Sequence, residues 1–131
     1  MAAAEQSLQV AIKLEPDASL ARVYLGTIRH HDKDRAGAIV LFREAIARKP
    51  SYLEAHLKLG MCLQEDGDRA GAITAFRAAL RCQPLSAAAH ARLGELLLPD
   101  RPEEGREHLQ RAIDLDPNER RALELLAANR P

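Results

Sequence analysis

The 131-residue chain contains no tryptophan, and phenylalanine and tyrosine supply only two residues each. A core propped open by large rings is therefore excluded. Leucine, isoleucine and alanine must do the packing, which suits closely spaced helices. Nineteen Lys and Arg balance nineteen Asp and Glu, so the formal net charge is zero. Without a basic excess, the electrostatic footprint of a nucleic-acid binder is missing. No apolar run approaches the roughly 20 residues of a membrane span. The opening stretch MAAAEQSLQVAIKLEP lacks the basic start and apolar run of a secretory signal. The expectation is a cytoplasmic protein with no membrane or nucleic-acid partner. Only two cysteines occur, Cys62 shortly before the turn at Gly67 and Cys82 well after it. In an antiparallel hairpin that separates them by roughly 15 Å at about 1.5 Å per residue, beyond the roughly 7 Å a disulfide tolerates. Two small buried thiols in a reducing compartment are expected.

What the chain does have is a period. Leu25-Gly26, Leu59-Gly60 and Leu93-Gly94 recur at one constant spacing. After each pair comes a second apolar set: Ala38 with Phe42, Ala72 with Phe76, Gly105 with Leu109. Ala45, Ala79 and Ala112 follow in step with an earlier Ala11, and Pro50, Pro84 and Pro117 close the units as Pro16 closes the first. A period of about 34 residues marks an array of helical hairpins. The boundaries expected are a half-repeat at 3–16, full repeats at 19–50, 53–84 and 87–117, and a terminal helix at 119–129, all in one domain. Ser19, Asp34 and Asp68 are placed to cap helices with a side-chain oxygen. Pro102 suits a first helical position, where its missing amide costs nothing. Gly26 is read as admitting the helix that bears Ala38, and Gly105, in the place of an alanine, as loosening the third hairpin.

Leu-Gly in the first helix, Ala-x-x-x-Phe in the second and a closing proline resemble the tetratricopeptide repeat. The likeness is strongest in the units ending at Pro50 and Pro84 and weaker in the one ending at Pro117. It departs from the family where a large aromatic often precedes Leu-Gly by one helical turn; here Arg22, His56 and His90 occupy that place. The third unit is also one residue short, within LPDRPEEG between Leu98 and Gly105. The resemblance implies an all-α, right-handed α-solenoid of antiparallel helix hairpins, with three full repeats and a half-repeat at each end. It also implies a concave groove in which extended or helical peptides lie.

Helical periodicity locates the face of each first helix opposite its Leu-Gly side. That face carries Leu20, Tyr24, Thr27 and His31, then Glu54, Lys58, Met61 and Glu65, then Ala88, Arg92, Glu95 and Pro99, flanked by Val23, Leu57 and Ala91. Apolar groups beside fixed charge there point to a protein or peptide partner. The family's carboxylate-clamp subtype resembles this chain little: its basic and amide places hold Val23, Thr27, Lys58 and Ala88, with only Arg92 retained. The asparagine ladder of O-linked N-acetylglucosamine transferases would occupy Tyr24, Lys58 and Arg92, and no asparagine is present.

Reaction chemistry is scarce. His30, His31, Asp32 and Asp34 are metal-ligand types, but the stretch also reads as an ordinary hydrophilic helix end. His56 and His90, one repeat apart, read as repeat-packing residues. No phosphate loop, zinc-ligand pair or nucleophile elbow occurs, so no cofactor, metal or catalysis is expected. The leading reading is a non-catalytic interaction scaffold. The alternatives are an arm of a larger enzyme, such as a glycosyl- or methyltransferase, and an array that associates weakly with itself through its open ends.

Overall fold

A computed structural model of the chain describes residues 2–15 and 18–130. Pro16, expected to end the first helix, lies outside them. The described residues form eight α-helices and no strand: α1 (Ala2–Leu14), α2 (Ser19–His31), α3 (Arg35–Arg48), α4 (Leu53–Glu65), α5 (Arg69–Cys82), α6 (Ala87–Leu97), α7 (Pro102–Leu115) and α8 (Arg120–Ala128). The most extensive contacts pair α2 with α3, α4 with α5, and α6 with α7, and each hairpin then packs on the next. The product is an α-solenoid.

The core follows the repeat. Phe42, Phe76 and Leu109, one per hairpin, are fully buried, as are Leu93 and Cys62. Burying such a side chain contributes about 1.5–3 kcal/mol. Gly26 admits α3, the helix that bears Ala38, as expected; the group pressed against it is the Phe42 ring of that helix, and a Cβ built there would lie 2.7 Å from Phe42 Cε1. Gly60 has the same relation to Phe76, also at 2.7 Å. In the third hairpin Leu109 replaces the ring, and the two backbones close in. A Cβ on Gly94 would lie 2.8 Å from the Gly105 carbonyl oxygen, and one on Gly105 would lie 2.9 Å from that of Gly94. Gly105 thus tightens the third hairpin instead of loosening it.

Helix ends are set locally. The Asp34 carboxylate accepts from the Gly37 amide at 3.0 Å, and that of Asp68 accepts from the Gly71 amide at 2.9 Å. Ser19 is not a cap: Ala18 holds that position, and the Ser19 hydroxyl donates instead to the Ala45 carbonyl at 3.3 Å, tying α2 to α3. Pro102 opens α7 as expected. The turns before α3 and α5 share one left-handed residue, Gly67 at φ 79° and Lys33 at φ 68°.

The positions that lack an aromatic anchor the loop before each first helix. His56 Nε2 lies 2.7 Å from the Pro50 carbonyl, and His90 Nε2 lies 2.9 Å from that of Pro84. Arg22 is 5 % exposed; it donates to the Ala18 carbonyl and pairs with Glu44 of α3 at 3.3 Å. These are packing residues. His90 also places Nδ1 3.0 Å from Nδ1 of His108 on α7. Since Nε2–H of His90 donates to Pro84, its Nδ1 accepts, and His108 donates as a neutral ring. Burial, and then the neighbouring His90, push the His108 pKa down.

Gly60→Leu should lower stability by about 1–3 kcal/mol, because the added side chain overfills the contact with Phe76; an unchanged denaturation midpoint would refute the close contact. Lys33→Gly should raise stability by about 1 kcal/mol by removing a Cβ from a left-handed backbone, read by the same denaturation curve. The folded pKa of His108 lies below its unfolded value, so its contribution is present above about pH 6.5 and is lost as pH falls. Melting temperature followed through mild acid should therefore drop more in the parent than in His108→Ala.

Candidate functional site

The first helices α2, α4 and α6 lie side by side, with α2 touching α4 directly. Leu20 and Tyr24 on α2 are 50 % and 54 % exposed. Leu57 and Met61 are half-buried and lean on the core, so they offer only edges. Val23, expected at the groove's flank, is buried. Thr27 is half-buried and donates its hydroxyl to the Val23 carbonyl at 2.8 Å. His31 is exposed. At the turn end of α2, residues Thr27, His30, His31, Lys33, Arg35 and Glu65 line an open cleft of about 630 Å³.

The charges sort by whether the fold has already paired them. Glu65 meets His30 Nε2 at 2.8 Å and Arg35 Nη1 at 3.6 Å, and the His30 hydrogen bond is the main cause holding its carboxyl below the usual range. Glu95 accepts from Gln64 at 3.0 Å and is paired with Arg121 of α8. Both acids are therefore neutralised by a neighbouring repeat. Lys58 and Arg92, half-buried on α4 and α6, form no hydrogen bond or ion pair among the described residues. Glu54 is exposed.

A second ladder runs along the turns. Arg35 Nε lies 2.5 Å from Asp66 Oδ1, and Arg69 Nη1 lies 2.6 Å from Asp100 Oδ2, one repeat later. Arg69 also donates to the Leu96 carbonyl at the end of α6, at 2.9 Å from Nε. Sequence reasoning missed these pairs, although Arg35 and Arg69 occupy equivalent places in successive repeats, as do Asp66 and Asp100. Arg77 likewise bridges to Glu104 at 2.9 Å, so it is a structural tie between α5 and α7.

Among the described residues no group of three or more His, Cys, Asp and Glu side chains is placed to hold a metal, and no helix is long and apolar enough to cross a membrane. The cysteines are unpaired. Burial pushes the Cys62 thiol up to about 11. Cys82, expected to be buried, is half-exposed, with Sγ 3.7 Å from the Pro50 carbonyl.

Two family models described as "Tetratricopeptide repeat" match the sequence, one over residues 29–96 and one over residues 2–52. The chain belongs to the tetratricopeptide repeat family. No curated protein matches the sequence significantly. Solved structures share the fold at low identity. A crystal structure of MamA is 18% identical with a TM-score of 0.86, covering 95% of this chain and 74% of that one. The first tetratricopeptide domain of Spaghetti (RPAP3), bound to the HSP90 peptide SRMEEVD, is 17% identical with a TM-score of 0.80, over 84% of this chain and 88% of that one. YrrB, described as a tetratricopeptide protein with an unusual peptide-binding site, is 23% identical with a TM-score of 0.80, over 94% and 64%. These likenesses concern the fold.

Proposed function

We propose that this tetratricopeptide protein is a non-catalytic scaffold that holds a peptide segment of a partner protein along the concave face of α2, α4 and α6. The observation that carries the reading is the division of charge on that face. Glu65 and Glu95 are engaged by His30, Arg35, Gln64 and Arg121, while Lys58 and Arg92 form no ion pair among the described residues and Leu20 and Tyr24 on α2 are exposed. A partly desolvated cation without a counter-ion is a ready partner for a carboxylate, and open apolar surface beside it supplies unscreened affinity. The ligand expected has bulky apolar residues next to one or two acidic groups. Glu54 weighs against a long polyacidic tail. Peptide recognition by Spaghetti, and the peptide-binding site described for YrrB, support the reading by analogy of fold. Two unpaired cysteines support the cytoplasm as its place.

Affinity should be roughly micromolar, near −8 kcal/mol, and salt should weaken it only in part, because apolar contacts are not screened. The test is a peptide titration against the parent, Lys58→Ala with Arg92→Ala, and the exposed control Arg81→Ala. All three should melt alike, and only the double variant should lose binding, by about tenfold or more, or 1.4 kcal/mol per tenfold. A double variant that holds the peptide as tightly as the parent would reject the groove.

A further inference from the structure

We infer that α1 of one copy of this chain docks on α8 of a second copy, the two completing a tetratricopeptide hairpin shared between molecules. The repeat register supplies the fit. Helices α3, α5 and α7 each follow a Leu-Gly helix and carry a small-large-small set whose large member meets that helix's glycine: Ala38, Phe42 and Ala45; Ala72, Phe76 and Ala79; Gly105, Leu109 and Ala112. Every member of these three sets is buried. One repeat before the first set stand Ala4, Leu8 and Ala11 of α1. No first helix covers them among the described residues, and Ala4 is exposed while Leu8 and Ala11 are only half-buried.

Helix α8 presents the other half. Leu126-Ala127 occupies the Leu-Gly place, one repeat after Leu93-Gly94, and the exposed Ala127 stands where each glycine meets a Phe or Leu. The cavities show what is missing. Between α3 and α5 lies a cleft of about 450 Å³ that includes Ile46, His56, Leu59 and Leu63, with its far wall built by Gly71, Thr74, Ala75 and Ala78 of α5. Between α7 and α8 a cleft of about 380 Å³ includes Ile113, Leu123, Leu126 and Arg130, each two repeats later than its counterpart. Among the described residues that cleft has no such wall. The α1 residues in register with the wall are Ala3, Gln6, Ser7 and Val10. All are exposed, Val10 by 53 %.

The occupant is therefore a second helix of the α3 type, and α1 of another copy has the small-large-small order and the neutral wall that this seat needs. The contact continues an interface the chain already makes three times, between α2 and α3, α4 and α5, and α6 and α7. It is heterologous, with the donor and acceptor faces at opposite ends, so it builds open chains rather than a closed dimer. Ala127 in place of glycine faces Leu8 in place of phenylalanine, so one member of the pair is larger than in Gly60 with Phe76 and the other smaller. The Cβ of Ala127 must be accommodated by a small widening, because the same atom on Gly94 would sit 2.8 Å from Leu109 Cγ. The association is accordingly weak.

Sedimentation velocity of the 131-residue chain at rising concentration should show a sedimentation coefficient that climbs without a plateau at the dimer. Ala4→Glu and Ala127→Glu alter exposed positions, so each variant should keep the parent's melting curve yet sediment as a monomer. Mixed in equal amounts, they should form a dimer that grows no further, since one retains the acceptor face and the other the donor. Gln6→Glu, which sets a carboxylate toward Arg130 by the register of Thr74 with Leu63, should strengthen parent association. A parent that stays monomeric overturns the inference, as does a mixture that fails to pair. Self-association that persists in Ala127→Glu, or that Gln6→Glu leaves unchanged, also overturns it. So does a further helix of the natural chain found seated on α8.

Discussion

At Gly60 a single methyl group would lie 2.7 Å from the Phe76 ring, closer than side-chain carbons stand in folded proteins. That missing methyl lets α4 and α5 come together around the ring. A chain with no tryptophan and only two phenylalanines has at most one such ring per hairpin, and it places each against a glycine. Glycine in a helix costs about 1 kcal/mol against alanine, and burying the ring contributes about 1.5–3 kcal/mol. The exchange is favourable only because the ring becomes fully buried, as Phe42 and Phe76 both are.

The third hairpin tests how far the rule extends. It has lost one residue in its turn and carries Leu109 where the others carry a ring. Less volume between α6 and α7 draws the backbones together until Gly94 and Gly105 face each other, each without room for a Cβ. Helix α6 ends at Leu97 after 11 residues, and Arg69 of the preceding repeat reaches its last turn to donate to the Leu96 carbonyl. The shortened turn is thus compensated by a smaller core residue, a second glycine and an arginine from the neighbour.

Much of this fold was legible because it repeats. The positions of the helices, the caps at Asp34 and Asp68 and the proline at the start of α7 each rest on a local rule that the neighbouring residues obey. Ser19 misled because an N-cap and a first-turn serine differ by one residue, and its hydroxyl found a carbonyl on α3 that no local rule contains. Gly105 misled for a related reason: propensity says that glycine loosens a helix, whereas the opposing backbone of Gly94 decides the matter. Opposite the Leu-Gly side, periodicity proposes which residues share a face. It could not show that Glu65 and Glu95 are held by partners in other repeats, since long side chains reach across repeats by rotamer choice.

That pairing changes the electrostatics of this face more than composition implies. Acids and bases share the face, and a net charge of zero for the whole chain suggests indifference to a ligand's sign. Yet an ion pair built into the scaffold has already met its complement, so the open charge of the face is mainly what remains. His30 and Arg35 close on Glu65, and Arg121 closes on Glu95; among the described residues Lys58 and Arg92 form no such pair. The same side chains join α2 and α3 to α4, and α6 to α8. Fixing the relative position of the repeats and setting which charges this face leaves open are consequently one act: loosening these ion pairs would release acids into the face.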